Sequence, residues 1–177
     1  MRNFVLGIIL ATPILLLVWL GYLLLGFFPT SALTQPSKLE FRIAGAARDA
    51  SVARQAPQVT NPIAPTDENV IDGMVVYTAN CALCHGGLDL KPGSLAKNQF
   101  PPAPQLLIRG GVDDPEGQVF YITRTGIRNT GMPGWQNVLS EPDMWKITMF
   151  LNRVRKLSPA AKDFWKQTGG VEPPADR

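Results

Sequence analysis

The residues best suited to metal or redox chemistry lie in one short run, Cys81-Ala82-Leu83-Cys84-His85. The sequence holds two cysteines and one histidine, and all three are in this run. Two cysteines three positions apart place their sulfurs toward one edge of a flat ligand. A histidine directly after the second places its imidazole over the centre of that ligand. This spacing indicates covalent attachment of a c-type haem through Cys81 and Cys84, with His85 as a ligand of the iron.

Three other interpretations of these residues are weaker. A structural zinc site needs four protein ligands, and only three soft ligands are available. A thioredoxin-like redox pair belongs in a βαβ unit, and the sequence shows no alternating strand pattern. A structural disulfide would leave His85 without a role. Haem attachment is therefore the favoured interpretation.

The second axial ligand of such a haem cannot be another histidine, because the sequence contains only His85. A methionine, a lysine or an open position remains. Met132 lies in a predicted loop, between Gly131 and Pro133, whereas Met74, Met144 and Met149 fall in predicted helices. Glycine lets the backbone approach a flat ring closely, and proline stiffens the loop. The sequence favours Met132 as the axial ligand.

Helical patterns surround these residues. An apolar i, i+3, i+4 stripe predicts a helix from Asp67 to Cys81. Ser140, followed three positions later by Asp143, marks the start of another helix whose apolar face continues to Leu157. Glycine and proline predict loops over 86–117 and 126–135, with a short helix at 118–125 between them. The predicted fold class is all-α.

Taken together, the sequence resembles a bacterial single-domain, monohaem c-type cytochrome with His/Met ligation. The similarity covers residues 67–157. It implies a small cytochrome c domain with one covalent haem c and with His85 and Met132 as the axial ligands of its iron. The motifs that carry it are Gly73, Tyr77, Cys81-x-x-Cys84-His85-Gly86, Gly126-Ile127-Arg128-Asn129-Thr130-Gly131-Met132-Pro133, Trp145 and Phe150.

The resemblance also implies roles for residues around the haem. Gly73 and Phe150 would lie where the first and last helices cross, with Tyr77 and Trp145 packing around the crossing.

A carbonyl in the proline run, that of Pro102 or Pro104, would accept the second ring N–H of His85. Arg128 or Trp135 would bond a haem propionate. A solvated arginine and a packed tryptophan are equally open alternatives for these two residues.

The N-terminal segment from Phe4 to Phe28 carries no charged residue. As a helix it would span about 37 Å, against about 30 Å for a hydrocarbon core. The run is too long for a cleaved signal peptide, and Thr30-Ser31-Ala32 is a poor cleavage site. The predicted organisation is a transmembrane signal anchor (1–28), a Pro/Ala-rich linker with a short helix at 44–54 (29–66), a cytochrome c domain (67–157), and a short helix with a tail (158–177).

Charge excludes one class of partner. The formal net charge is +3, and from residue 60 onward basic and acidic residues are equal in number. No basic face is implied, so nucleic acid is not an expected partner.

The resemblance implies a one-electron carrier with no catalytic residues of its own. Because the family's haem is attached outside the cytoplasmic membrane, we expect a single-pass protein of the inner membrane with its haem domain on the periplasmic side. Expected partners are the lipid bilayer, soluble electron carriers and a membrane redox complex: an oxidase, a quinol-oxidising complex, a dehydrogenase or a reaction centre. A tethered carrier and a permanent subunit of a respiratory or photosynthetic chain both stay open. The alternative is a haem sensor or peroxidase with a labile sixth ligand.

Overall fold

The computed structural model describes residues 1–175, without the side chains of residues 2, 3, 5, 6 and 8. All regular structure in this part of the chain is helical, which confirms the predicted all-α class. A 3-10 turn, Val154–Lys156, follows the sixth helix. The α-helices are α1 (Arg2–Leu24), α2 (Lys38–Gln55), α3 (Asp67–Asn80), α4 (Ala82–His85), α5 (Glu116–Thr125), α6 (Glu141–Arg153) and α7 (Pro159–Gln167).

The chain divides into two compact units, and helix α1 belongs to the first, Met1–Thr34. The helix ends at Leu24, before the apolar run of sequence does, and Gly26 then adopts a positive φ of 79°. Among the residues that the structure describes, no helix has both the length and the apolar character needed to cross a bilayer. This finding corrects the predicted transmembrane helix, and with it the predicted single-pass location in the inner membrane.

The second unit begins at Gln35, and its first element is α2. Ser37 caps this helix by accepting a hydrogen bond from the backbone N–H of Glu40 at 3.1 Å. The helix therefore starts six residues before the short helix expected at 44–54. Its C-terminal end packs against α5, where Val52 is buried and the Tyr121 hydroxyl donates to Gln55 Oε1 at 3.0 Å. The segment predicted as a linker thus contributes a packed helix.

Helices α3 and α6 cross at a glycine. A Cβ on Gly73 would overlap the backbone carbonyl of Lys146, so the two helices approach too closely for any larger residue. This confirms the expected position of Gly73. Beside the crossing, the Tyr77 ring meets Phe150 edge-on with centroids 5.5 Å apart, and Phe150 lies 6.2 Å from Trp165 of α7. These rings form the centre of the core.

Trp145 packs elsewhere than expected. It stacks on Phe120 of α5 with ring centroids 3.9 Å apart and planes 5° from parallel. Trp145 and Phe150 are five residues apart, which puts them about 140° apart around the helix. Phe150 therefore faces α3, while Trp145 belongs to a second cluster with Phe120 and Met144.

Candidate functional site

The two cysteines and the histidine occupy a single turn at the end of α3. Cys81 caps α3 through its backbone N–H, which donates to the Tyr77 carbonyl at 2.7 Å. The His85 N–H donates to the Cys81 carbonyl at 2.9 Å, which closes the short helix α4. Both cysteines are free thiols, Cys81 buried and Cys84 half-buried. The predicted trio is therefore brought together with both sulfurs unpaired.

The environment of Cys81 disfavours the thiolate form of its side chain. Burial, with a smaller contribution from the neighbouring Cys84, raises the pKa of Cys81 to about 12. A reactive redox cysteine needs a lowered pKa, because the thiolate is the nucleophile. The turn therefore does not have the electrostatics of a thioredoxin-like pair.

His85 is held in one tautomer by a backbone carbonyl. Its Nδ1 lies 2.8 Å from the carbonyl oxygen of Pro104. A carbonyl can only accept, so Nδ1 carries the proton and Nε2 presents a free lone pair. Burial lowers the pKa of His85, and the bond to Pro104 opposes this to a lesser extent. A neutral imidazole with one nitrogen fixed and the other free is the form that ligates a metal.

Of the two prolines named from the sequence, the structure places Pro104 at the histidine. Pro102 instead lines a surface cleft with Phe41 and Phe100. The two prolines could not be separated in the sequence, because each supplies a carbonyl at a similar distance along the chain.

Gln105, which no sequence pattern singled out, organises the loop around this turn. Its Oε1 accepts from the Gly93 N–H at 2.7 Å. Its Nε2 donates to the carbonyls of Cys84 at 3.0 Å and Ala103 at 2.8 Å. One side chain thus joins the cysteine turn, the segment after it and the proline run.

The turn that follows His85 is fixed from the core side. The buried Tyr77 hydroxyl donates to the Gly86 carbonyl at 2.8 Å, and burial raises the pKa of Tyr77 above its usual value. Gly86 has a positive φ of 88°, which favours glycine, and a Cβ there would lie 2.9 Å from the Lys91 carbonyl. The Leu106 N–H then donates to the His85 carbonyl at 3.0 Å.

Met132 lies half-buried in a tight loop. Its carbonyl accepts from the Ile127 N–H at 3.0 Å, and its own N–H donates to Thr130 Oγ1 at 3.1 Å. The side chain of Gln99 lies against Gly131, and a Cβ there would displace the Gln99 amide. The Met132 loop therefore contacts the same long segment that carries Pro104. Ligation by Met132 stays a prediction.

The two residues predicted at a haem propionate differ in their surroundings. Arg128 is exposed. Trp135 is half-buried against the cluster that contains Phe120 and Trp145, as the packed-tryptophan alternative expects. Contact of either residue with a propionate stays a prediction.

The donor set of this turn fits a covalently bound haem. It offers two unpaired thiols on one turn and an imidazole whose Nε2 is free. Within the described residues, no three His, Cys, Asp or Glu side chains are grouped so as to hold a metal ion by themselves.

A match to a protein-family model agrees with this assignment. Residues 68–151, just under half of the chain, match the family model of cytochrome c oxidase, cbb3-type, subunit III. The match supports a c-type cytochrome, a class that binds haem c covalently and whose domain fits an electron-transfer role.

Among solved structures, the chain is similar to the reducing HAO-like protein complex of Kuenenia stuttgartiensis, with 26% sequence identity and a TM-score of 0.43. The alignment covers 54% of this chain and 48% of that chain, so this chain spans about half of its length. No curated protein sequence matches.

Proposed function

We propose that this chain is a monohaem c-type cytochrome that passes single electrons between redox partners. Cys81 and Cys84 would hold the haem through thioethers, with His85 and Met132 as the axial ligands of the iron. The observation that carries the proposal is the 2.8 Å bond from His85 Nδ1 to Pro104, because it leaves Nε2 free on the turn that holds both thiols. The family match over residues 68–151 supports it independently.

When bound, the haem supplies an iron that gains and releases one electron. Pro104 keeps the His85 ring in a fixed orientation, so that exchange of an electron requires no rotation of the imidazole. As a ligand, the thioether of Met132 would be a neutral, soft donor that would favour the ferrous state and raise the potential. Its loop is braced by the Thr130 hydroxyl and the Ile127 N–H, which hold the methionine backbone in place.

The partners we propose are an oxidase, a quinol-oxidising complex, a dehydrogenase or a reaction centre, together with soluble electron carriers. The family match is to an oxidase subunit, which supports the first of these. The chain would act as a carrier or as an electron-transfer subunit of a respiratory or photosynthetic chain. With both axial positions filled by protein, it would perform no catalysis of its own.

Substitution of Met132 tests the proposal. We expect Met132→Ala holoprotein to bind carbon monoxide readily in the ferrous state and to have a lower midpoint potential, since the soft sixth ligand is gone. The matched control is Met149→Leu, a change of similar volume in the core, which should leave both properties unchanged. Rapid carbon monoxide binding by the wild-type protein would contradict the proposal and support a sensor or peroxidase.

A further inference from the structure

Helix α2 carries the basic excess of the second unit. It holds Lys38, Arg42, Arg48 and Arg54 against Glu40 and Asp49, whereas from residue 60 onward the two signs are equal in number. Arg48 pairs with its neighbour Asp49 at 2.7 Å. Lys38 and Arg42 form no ion pair among the described residues. In this part of the chain, two cations without an ion pair therefore lie one turn apart at the start of the helix, with Glu40 between them in sequence.

These cations line a surface cleft of about 350 Å³. One wall is the start of α2 and the residues before it, and the other is the proline run. Of the residues that the structure describes, no acidic one lines the cleft. Its lining is Gln35, Pro36, Lys38, Phe41, Arg42, Phe100 and Pro102.

The cleft also offers apolar surface. Phe41 lies between the two cations on the same helical face, at i+3 from Lys38, and 58% of it is exposed. Phe100 on the facing wall is half-buried. Exposed aromatic surface beside unpaired basic groups is suited to a ligand that has both a negative charge and an apolar side chain.

The cleft adjoins the candidate haem site without including it. None of Cys81, Cys84, His85 and Met132 lines it. Pro102 in its wall is two residues from Pro104, so the two lie at most about 7 Å apart along the chain. A partner seated here would therefore sit against the segment that orients His85.

We propose that this cleft docks an acidic segment of a protein redox partner, which presents carboxylates to Lys38 and Arg42 and an apolar side chain to Phe41 and Phe100. The identity of the partner as a redox protein rests on the proposed electron-transfer function. The docking chemistry itself depends only on the charges and rings of the cleft.

The test uses the full-length holoprotein and a fluorescently labelled peptide of four glutamates around one phenylalanine, followed by fluorescence anisotropy. We expect salt-sensitive binding that weakens roughly five- to tenfold in Lys38→Gln/Arg42→Gln, as loss of two screened charge pairs predicts. Phe41→Ser should weaken it as well. The matched control is Arg48→Gln, which removes a charge from the same helix outside the cleft and should leave affinity unchanged.

Several outcomes would overturn the docking proposal. No binding of the peptide would do so, as would equal weakening by Arg48→Gln, which would mean attraction by net charge alone. Concentration-dependent self-association lost in Lys38→Gln/Arg42→Gln would assign the cleft to a second copy of the chain. If Lys38→Gln/Arg42→Gln measured without a partner has a shifted midpoint potential, the two cations act on the haem and not on a docked protein. Absence of a haem c spectrum would refute the proposed function, whereas a normal spectrum without peptide binding would refute only the docking site.

Discussion

At the scale of single residues, the candidate site depends on a side chain that would neither bind the haem covalently nor ligate its iron. Gln105 makes three hydrogen bonds, to Gly93, Cys84 and Ala103, and it directly follows Pro104, the acceptor for His85. Loss of the amide would leave one N–H and two carbonyls without this partner. The orientation of His85 is therefore coupled to a residue whose three hydrogen bonds all go to groups other than the imidazole.

Replacing this glutamine should loosen the site. We expect Gln105→Leu to lower the free energy of unfolding of the holoprotein by about 2–3 kcal/mol, from the loss of hydrogen bonds worth about 1 kcal/mol each. The matched control is Gln136→Leu at an exposed position, where we expect a change within about 0.5 kcal/mol. Guanidinium unfolding followed at the haem absorbance measures both. Equal stabilities for the two variants would show that Gln105 is dispensable.

Residue types revealed part of this site and not the rest. Cys81, Cys84 and His85 could be identified because their chemistry is encoded in local spacing. Gln105 could not, since its bonds reach back 12 residues to Gly93 and 21 residues to Cys84. An isolated glutamine in a loop gives no local signal of partners so distant along the chain.

At the scale of elements, the crossing of α3 and α6 sets the geometry from which the cysteine turn projects. We expect Gly73→Ala to lower the free energy of unfolding by about 1–3 kcal/mol, because its Cβ would overlap the Lys146 carbonyl and force the helices apart. Thermal unfolding of the holoprotein measures the effect.

Gly45→Ala in α2 is the matched control for Gly73→Ala. No atom lies within 4 Å of a Cβ built there, so the substitution should stabilise the helix by up to about 1 kcal/mol. A tolerated Gly73→Ala would mean that the helices can separate without cost.

Helix ends were predictable where a capping residue was recognised. Ser140 accepts from the Asp143 N–H at 3.2 Å and begins α6, as its sequence indicated. Ser37 caps the start of α2 in the same way. That helix was predicted from its alanine content alone, so its predicted start lay too far along the chain. Trp145 was predicted beside the crossing of α3 and α6, but it stacks on Phe120 of α5. The apolar run in α6 does not show which helix packs against each of its faces.

At the scale of the whole molecule, a long irregular segment separates the two halves of the haem domain. Residues 86–115 contain no helix or strand. Few of their side chains are buried, and these include Leu88, Ala103 and Leu107. So little buried apolar surface can hardly offset the entropy of ordering the segment without a bound group.

We therefore expect the Cys81→Ala/Cys84→Ala variant, which cannot attach haem, to lack cooperative folding. Circular dichroism with hydrogen exchange measures this. The amides of 86–115 should be the least protected, while wild-type holoprotein prepared in parallel shows full protection of α3 and α6. A sharp, cooperative unfolding transition in the haem-free variant would refute the expectation.

The bond from His85 to Pro104 also sets an order of events during synthesis. Its two partners are separated by 19 residues, and the histidine is made first. At about 5–20 residues per second, the ribosome needs roughly 1–4 s to add the chain between them. During that interval the newborn cysteine turn is complete while its histidine still lacks its acceptor. Until Pro104 has been added, the imidazole of His85 therefore lacks this acceptor, and the orientation that the bond gives the ring is acquired only afterwards.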